Sequence, residues 1–308
     1  MRWKGDAAEY ANRHLESYDV SFEDLRSIAE PLQDGEMLLL VGSIAEGLAN
    51  RDSDVDLLLL GSFRNVEAGV TTIGTNCQVV GALGQPQGFD AQITIWSPET
   101  VESVRQRFGR FVEIWQHKLE CASSGQDLDI TPWVFPWLSP IEQLFLHRIR
   151  GGIPLTDRSV ISRLRASLQL EMLPLHAFVT GVHACYGFVE DAIAQAEQPE
   201  GDRETAQTMV SLAADGLAAG LLGAVGETHP YPKWRPKLLR RHRGILGDDL
   251  IEEVLEYLFP DRSDDPLTTA RQFYAFTERA LNQVTAQMEG LGPLAAAYVK
   301  RLRLRTWV

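Results

Sequence analysis

Cysteine is scarce: Cys77, Cys121 and Cys185 are odd in number and far apart. They have neither the paired spacing of a zinc site nor the even framework of a disulfide-stapled secreted domain, so reduced, intracellular thiols are expected. Long apolar runs are also missing. The densest, around Leu212 to Val225, is broken by Asp215, Gly216, Gly220 and Gly223, and a membrane helix needs roughly 18–20 apolar residues in succession. No membrane partner is therefore expected. The opening stretch carries acids and no apolar segment, so no signal peptide is expected either and the protein is read as cytoplasmic. Internal repeats and low-complexity tracts are not evident. Positive charge is in deficit, with 29 Lys+Arg against 42 Asp+Glu and a net charge of −13. Such a surface repels a polyphosphate backbone, which argues against general nucleic-acid binding and favours a small-molecule or protein partner.

What is present is the composition of an ordinary globular protein, 308 residues with 44% hydrophobic and 23% charged side chains, long enough for two domains. The first 35 residues read as two short amphipathic helices, one with Ala7, Tyr10, Ala11 and Leu15 at helical spacing and one opened by Ser21 and Asp24. Strands are expected at Met37–Val41, Val55–Leu60 and Phe89–Trp96, with a weaker one at Gln78–Ala82. A short helix is expected at Ile44–Leu48, and another helix opening on Pro98-Glu99. A break at Ser123–Gln126, followed by Pro132, Pro136 and Pro140, marks a linker. Beyond it the pattern is helical at 141–150, 160–170, 175–195, 206–225, 250–258 and 268–288, with a strand conceivable only in the last few residues. The fold class is therefore α+β, a mixed-sheet N-terminal domain at 1–130 followed by an all-α bundle at 139–308.

The chemistry concentrates between Leu38 and Gly61. A strand ends in Gly42-Ser43, where a glycine lets backbone amides approach an anion, a hydroxyl is on offer and a helix start points its positive end at the same spot. The next strand opens Asp54-Val55-Asp56. Alternation puts both carboxylates on one face, a suitable oxygen-ligand set for magnesium. Two such ions about 3.5–4 Å apart can serve an in-line phosphoryl displacement. A third carboxylate, Asp90, shares a strand face with Gln92 and Thr94. Gly-Ser or Asp-x-Asp alone is commonplace; the ordered combination is specific.

In this order the residues resemble the DNA polymerase beta-type nucleotidyltransferase superfamily, and the two-domain plan is similar to the antibiotic (aminoglycoside) nucleotidyltransferases. The detailed resemblance spans about residues 36–98. It implies that Gly42 and Ser43 hold a nucleoside triphosphate, that Asp54 and Asp56 bind two magnesium ions and that Asp90 binds the catalytic one. It implies transfer of a nucleoside monophosphate, with ATP the expected donor and pyrophosphate leaving. The expected acceptor is the hydroxyl of a small, cationic, aminoglycoside-like molecule; a protein acceptor, or nucleotide binding without turnover, are the alternatives. Monomer and homodimer both stay open.

Outside this segment, His229 to Arg243 holds six Lys+Arg and no acid. A solvated face is the ordinary reading; the functional one has Lys233, with Lys237 as its rival, contacting the triphosphate. Asp215, Glu142 and Glu190 compete as general base. Trp96, Trp133 and Trp137 are candidates for stacking a base or lining an acceptor pocket, with core packing as the default. His147 reads as structural, and His176 and His183, seven residues apart, lack the spacing of a zinc pair.

Overall fold

The computed structural model describes residues 7–17, 20–28, 32–50, 53–62, 70–73, 77–81, 91–124, 137–198, 202–259, 265–286, 288 and 292–303. The chain forms two compact units, Met1–Arg110 with Leu138–Leu170, and Phe111–Trp137 with Glu171–Val308. This division falls elsewhere than the 1–130 and 139–308 limits read from the prolines, because residues 138–170 pack with the N-terminal sheet.

The first unit contains α1 (Ala7–Glu16), α2 (Phe22–Ile28), β1 (Met37–Val41), α3 (Gly42–Ala45), β2 (Val55–Leu60), β3 (Val70–Ile73), β4 (Cys77–Gly81), β5 (Ala91–Trp96), the start of α4 (Pro98–Ser123), α5 (Pro140–Gly151), β6 (Ile153–Pro154) and α6 (Arg158–Ser167). Its six strands lie in the order β3-β4-β5-β2-β1-β6. β2 and β5 are parallel, with Val55 opposite Ala91 and Asp56 opposite Gln92; the other pairs are antiparallel. Leu57 to Leu60 form an unbroken apolar run because the sheet is covered on both faces. On one face Leu38, Leu40, Leu57, Leu59, Ile93 and Ile95 pack against Ala11 and Leu15 of α1, Leu25 of α2 and Ile44 of α3. On the other, Trp96 stacks on Phe145 of α5 with ring centroids 4.2 Å apart.

Helix α5 is fastened at both ends. Ser139 and Glu142 form a capping box at its start, and Arg107 of α4 donates to both Glu142 oxygens at 2.7 and 2.9 Å. At its end Arg165 of α6 donates to the carbonyls of Ile149 and Gly152, groups that the helix leaves without an internal partner. The chain then enters β6, where Ile153 and Pro154 lie opposite Leu40 and Leu39 of β1. Pro154 is tolerated because β6 is an edge strand.

Most expected elements are present, and β1 and β2 have the limits read from the sequence. β5 is described from Ala91, one residue after Asp90, and β4 runs Cys77–Gly81 rather than 78–82. Strand β3 was not expected: it has four residues, two of them Thr, and is made by antiparallel pairing with β4. Strand β6 also departs from the expectation of helices alone beyond the linker, because a two-residue strand leaves no periodicity to read.

The second unit contains the remainder of α4, α7 (Leu173–Glu197), α8 (Arg203–Ala224), α9 (Arg235–Arg241), α10 (Arg243–Leu246), α11 (Asp248–Leu258), α12 (Pro266–Thr285) and α13 (Gly292–Arg303). Helix α13 runs to Arg303; the last residues, 304–308, where a strand was considered, lie outside the described set. Glycines bring α7 and α8 together: a Cβ on Gly181 would lie 2.5 Å from the Gly220 nitrogen, and one on Gly223 2.4 Å from that of Phe178. Leu170–Glu197 is the only stretch among the described residues long and apolar enough to cross a membrane. Its buried residues, including Val182, Cys185 and Val189, mark it as a core helix of this unit. Cys185 is inside, its thiol pushed up to about 12 by burial; Cys121 is half-buried, and both are free thiols.

Candidate active site

β1 and β2 are antiparallel with Val41 opposite Asp56, so the end of the first strand meets the start of the second. Gly42 takes φ +71°, a left-handed backbone that suits glycine. A Cβ there would lie 2.1 Å from Asp56 Oδ2, so position 42 must be bare for the carboxylate to sit above it. The Ser43 carbonyl accepts the amides of Leu48 and Ala49 at 2.8 and 3.0 Å. The following turn is closed by Asn50 and Ser53, each of whose side chains bonds within it. It delivers Asp54 into solvent and Asp56 to a position where its side chain is 23% exposed. Helix α3 is a single turn of four residues, too short to sum a large dipole. The local backbone is the larger part of what this corner offers an anion.

Arg148 completes the corner from α5. Its Nη2 donates to Asp56 Oδ1 at 3.2 Å and its Nη1 to Thr94 Oγ1 of β5, also at 3.2 Å. Sequence reading missed this residue. The signal was there: Phe145, Arg148, Ile149 and Gly152 follow helical spacing, so the arginine lies on the apolar face of α5. One residue earlier, His147 Nε2 lies 3.1 Å from a Glu46 carboxylate oxygen, both largely buried.

The structure thus brings Gly42, Ser43, Asp54 and Asp56 together. Asp90 lies outside the described residues. Lys233 belongs to the second unit, exposed on a turn of 3-10 helix at Pro232–Trp234; its Nζ lies 5.2 Å from the Trp234 ring centre and that of Lys237 5.7 Å. The basic segment is mostly helical, in α9 and α10, and Pro232 and Pro236 open helical turns.

Of the weaker candidates, Glu142 and Asp215 are engaged by arginines and Trp96 by core packing. Glu142 is the cap of α5 bound by Arg107, which leaves no free oxygen for a base. Asp215 pairs with Arg235 Nε at 3.2 Å. Glu190 is half-buried on α7. Trp96 is buried in the core; Trp137 lies 5.1 Å from the His183 ring; Trp133 is outside the described residues. His176 is wholly buried edge-on to Phe111, and burial pushes its pKa down to about 3, so it is neutral.

Asp54 and Asp56 are hard oxygen donors side by side at a strand start, one facing water and one held in place. That set fits magnesium, which takes carboxylates and leaves sites for water and substrate oxygens.

A glycine-pinned strand end beside paired carboxylates is chemically suited to phosphate oxygens and a divalent cation. Residues 23–107 match the nucleotidyltransferase domain family, a span that contains Gly42, Ser43, Asp54, Asp56 and Asp90. The matched part of the chain, which holds β1 to β5, is thus similar to a nucleotidyltransferase domain. No curated protein matches the chain. Among solved structures, a nucleotidyltransferase-like protein from Exiguobacterium sibiricum 255-15 is similar, with 14% identity and a TM-score of 0.43 over 97% of this chain and 81% of that one.

Proposed function

We propose that the protein is a magnesium-dependent adenylyltransferase that moves AMP from ATP to the hydroxyl of a small, cationic acceptor, releasing pyrophosphate. The reading is carried by one observation: at the shared end of β1 and β2, a bare Gly42 backbone lies directly under the Asp56 carboxylate, with Asp54 beside it in solvent. Gly42 and Ser43 would cradle phosphate oxygens through main-chain amides and the Ser43 hydroxyl. Asp54 and Asp56, with Asp90, would hold the magnesium ions. Bound magnesium would supply neutralisation of the charge that develops on the phosphoryl group and leaving pyrophosphate. The protein's own share is positioning: the β1–β2 register sets Asp56 over Gly42 before substrate arrives, with Asp54 two residues earlier at the strand start. A net charge of −13 supports a cationic acceptor, which such a field attracts.

The test is transfer of label from α-labelled ATP and magnesium to a panel of aminoglycosides, cell-extract proteins and tRNA. Label is expected in a small amine-bearing product, together with pyrophosphate. Label in a protein band or in tRNA would replace the acceptor assignment. If Asp54→Asn/Asp56→Asn enzyme releases pyrophosphate as fast as wild type, the site itself is wrong.

A further inference from the structure

Arg148 is a cation built into the place where the proposed site gathers positive charge. Its side chain is only 12% exposed and that of Asp56 23%, so the pair is not a solvated surface contact. The two Asp56 oxygens have different neighbours. Oδ1 accepts from Arg148 Nη2, while Oδ2 faces the Cα of Gly42. Arg148 is itself tethered by Thr94 of the neighbouring strand, and α5 is fixed at both ends by Arg107 and Arg165. Its Nε is buried without a hydrogen-bond partner among the described residues. A side chain placed only to tie helix to sheet would be expected to satisfy that donor, because an unmet buried N–H is costly.

We propose that Arg148 is a positioning residue and resident countercharge for the carboxylate pair: it orients Asp56 and, by its charge, holds divalent-cation affinity down. The inference rests on the reading that Asp54 and Asp56 bind a divalent cation. The two roles pull in opposite directions when the side chain is neutralised. Loss of orientation slows turnover. Loss of a fixed positive charge a few ångströms from a dication removes repulsion, and Coulomb's law makes this the larger influence on binding.

The test is Mn2+ binding to the nucleotide-free, full-length protein by titration calorimetry, with pyrophosphate release measured in parallel. Arg148→Gln is expected to bind Mn2+ about tenfold more tightly and to turn over about 100-fold more slowly. Arg148→Lys is expected to restore the wild-type Mn2+ affinity while recovering only part of the rate, since a lysine lacks the planar fork. A merely structural arginine would not tighten binding on removal. If Asp56→Asn weakens Mn2+ binding but Arg148→Gln leaves it unchanged or weaker, the role given to Arg148 is wrong and the cation site stands. If Asp56→Asn leaves Mn2+ binding unchanged, the cation site fails and the inference falls with it. Should Arg148→Gln not fold, Thr94→Val loosens the same guanidinium with less disturbance. It is expected to tighten Mn2+ binding about twofold, and weaker binding would overturn the proposal.

Discussion

Each unit contains a largely buried arginine paired with an aspartate at 3.2 Å, and the two pairs are built to different ends. In the helical unit Arg235, 7% exposed, donates through Nε to Asp215, through Nη1 to the His229 carbonyl and through Nη2 to that of Pro230. Its three nitrogens are all occupied, and the result is a clamp on the proline-rich loop before α9. Glu227 reinforces it by accepting the amides of Thr228 and His229. In the sheet unit Arg148 leaves Nε unused among the described residues and directs its Nη contacts to Asp56 and Thr94. The first pair is saturated and closed; the second keeps a carboxylate oriented beside a bare glycine and an exposed acid. Saturation of the donors separates the structural ion pair from the one at the proposed site, although distance and residue type are the same.

The sharpest break in the comparison is removal of each acid's charge. Asp56→Asn is expected to lower the rate of pyrophosphate release about 1000-fold or more, worth about 4 kcal/mol of barrier. Asp215→Asn should leave that rate within about twofold. Equal losses from both substitutions would erase the distinction. Next in size is Arg235→Met, expected to lower unfolding stability by about 3 kcal/mol, because Asp215 and two carbonyls lose their donor. Chemical denaturation reads this, with Mn2+ affinity as the quantity that should not move. Gly42→Ala comes third. The added methyl collides with Asp56 and the left-handed backbone is strained, so a loss of about 2 kcal/mol in stability is expected. Cation binding should weaken with it, whereas a stability loss alone would place Gly42 with the structural glycines of α7 and α8.

The last effect concerns His176 of the helical unit and is felt only at acid pH. Its folded pKa is lowered to about 3 from 6.5, so below pH 6.5 the unfolded chain takes up a proton that the folded one refuses. Its contribution is complete above about pH 6.5 and is lost as pH falls toward 3, with a slope approaching about 1.4 kcal/mol per pH unit. His176→Phe should flatten the fall in stability between pH 6 and pH 4 by about that slope. An unchanged profile would assign the acid sensitivity to other groups.

Sequence legibility followed the same divide. β1, β2 and the Gly42-Ser43 and Asp54-x-Asp56 elements were readable because each is local: a short apolar run, a glycine at a strand end, an alternation of period two. The long helices announced themselves by apolar spacing over many turns. Arg148 was not readable as the partner of Asp56 and Thr94, because it lies 92 and 54 positions further along the chain and only the fold joins them. Glu142 and Asp215 looked available as bases since an acid on a helix shows its charge in sequence but not the arginine that occupies it. β3 and β6 are strands by pairing more than by composition, and short partner-dependent elements leave little periodic signal.

The two residues of β6 have a practical consequence for dissecting the molecule. A fragment cut in the linker near residue 130 would retain the nucleotidyltransferase signature yet lose α5 and β6 together. The outer side of β1 would then present bare amides and carbonyls, and a strand edge of that kind recruits other chains. Asp56 would at the same time be stripped of its guanidinium. A fragment meant to isolate the sheet unit should therefore run through Leu170, carrying its own edge cover and its own arginine.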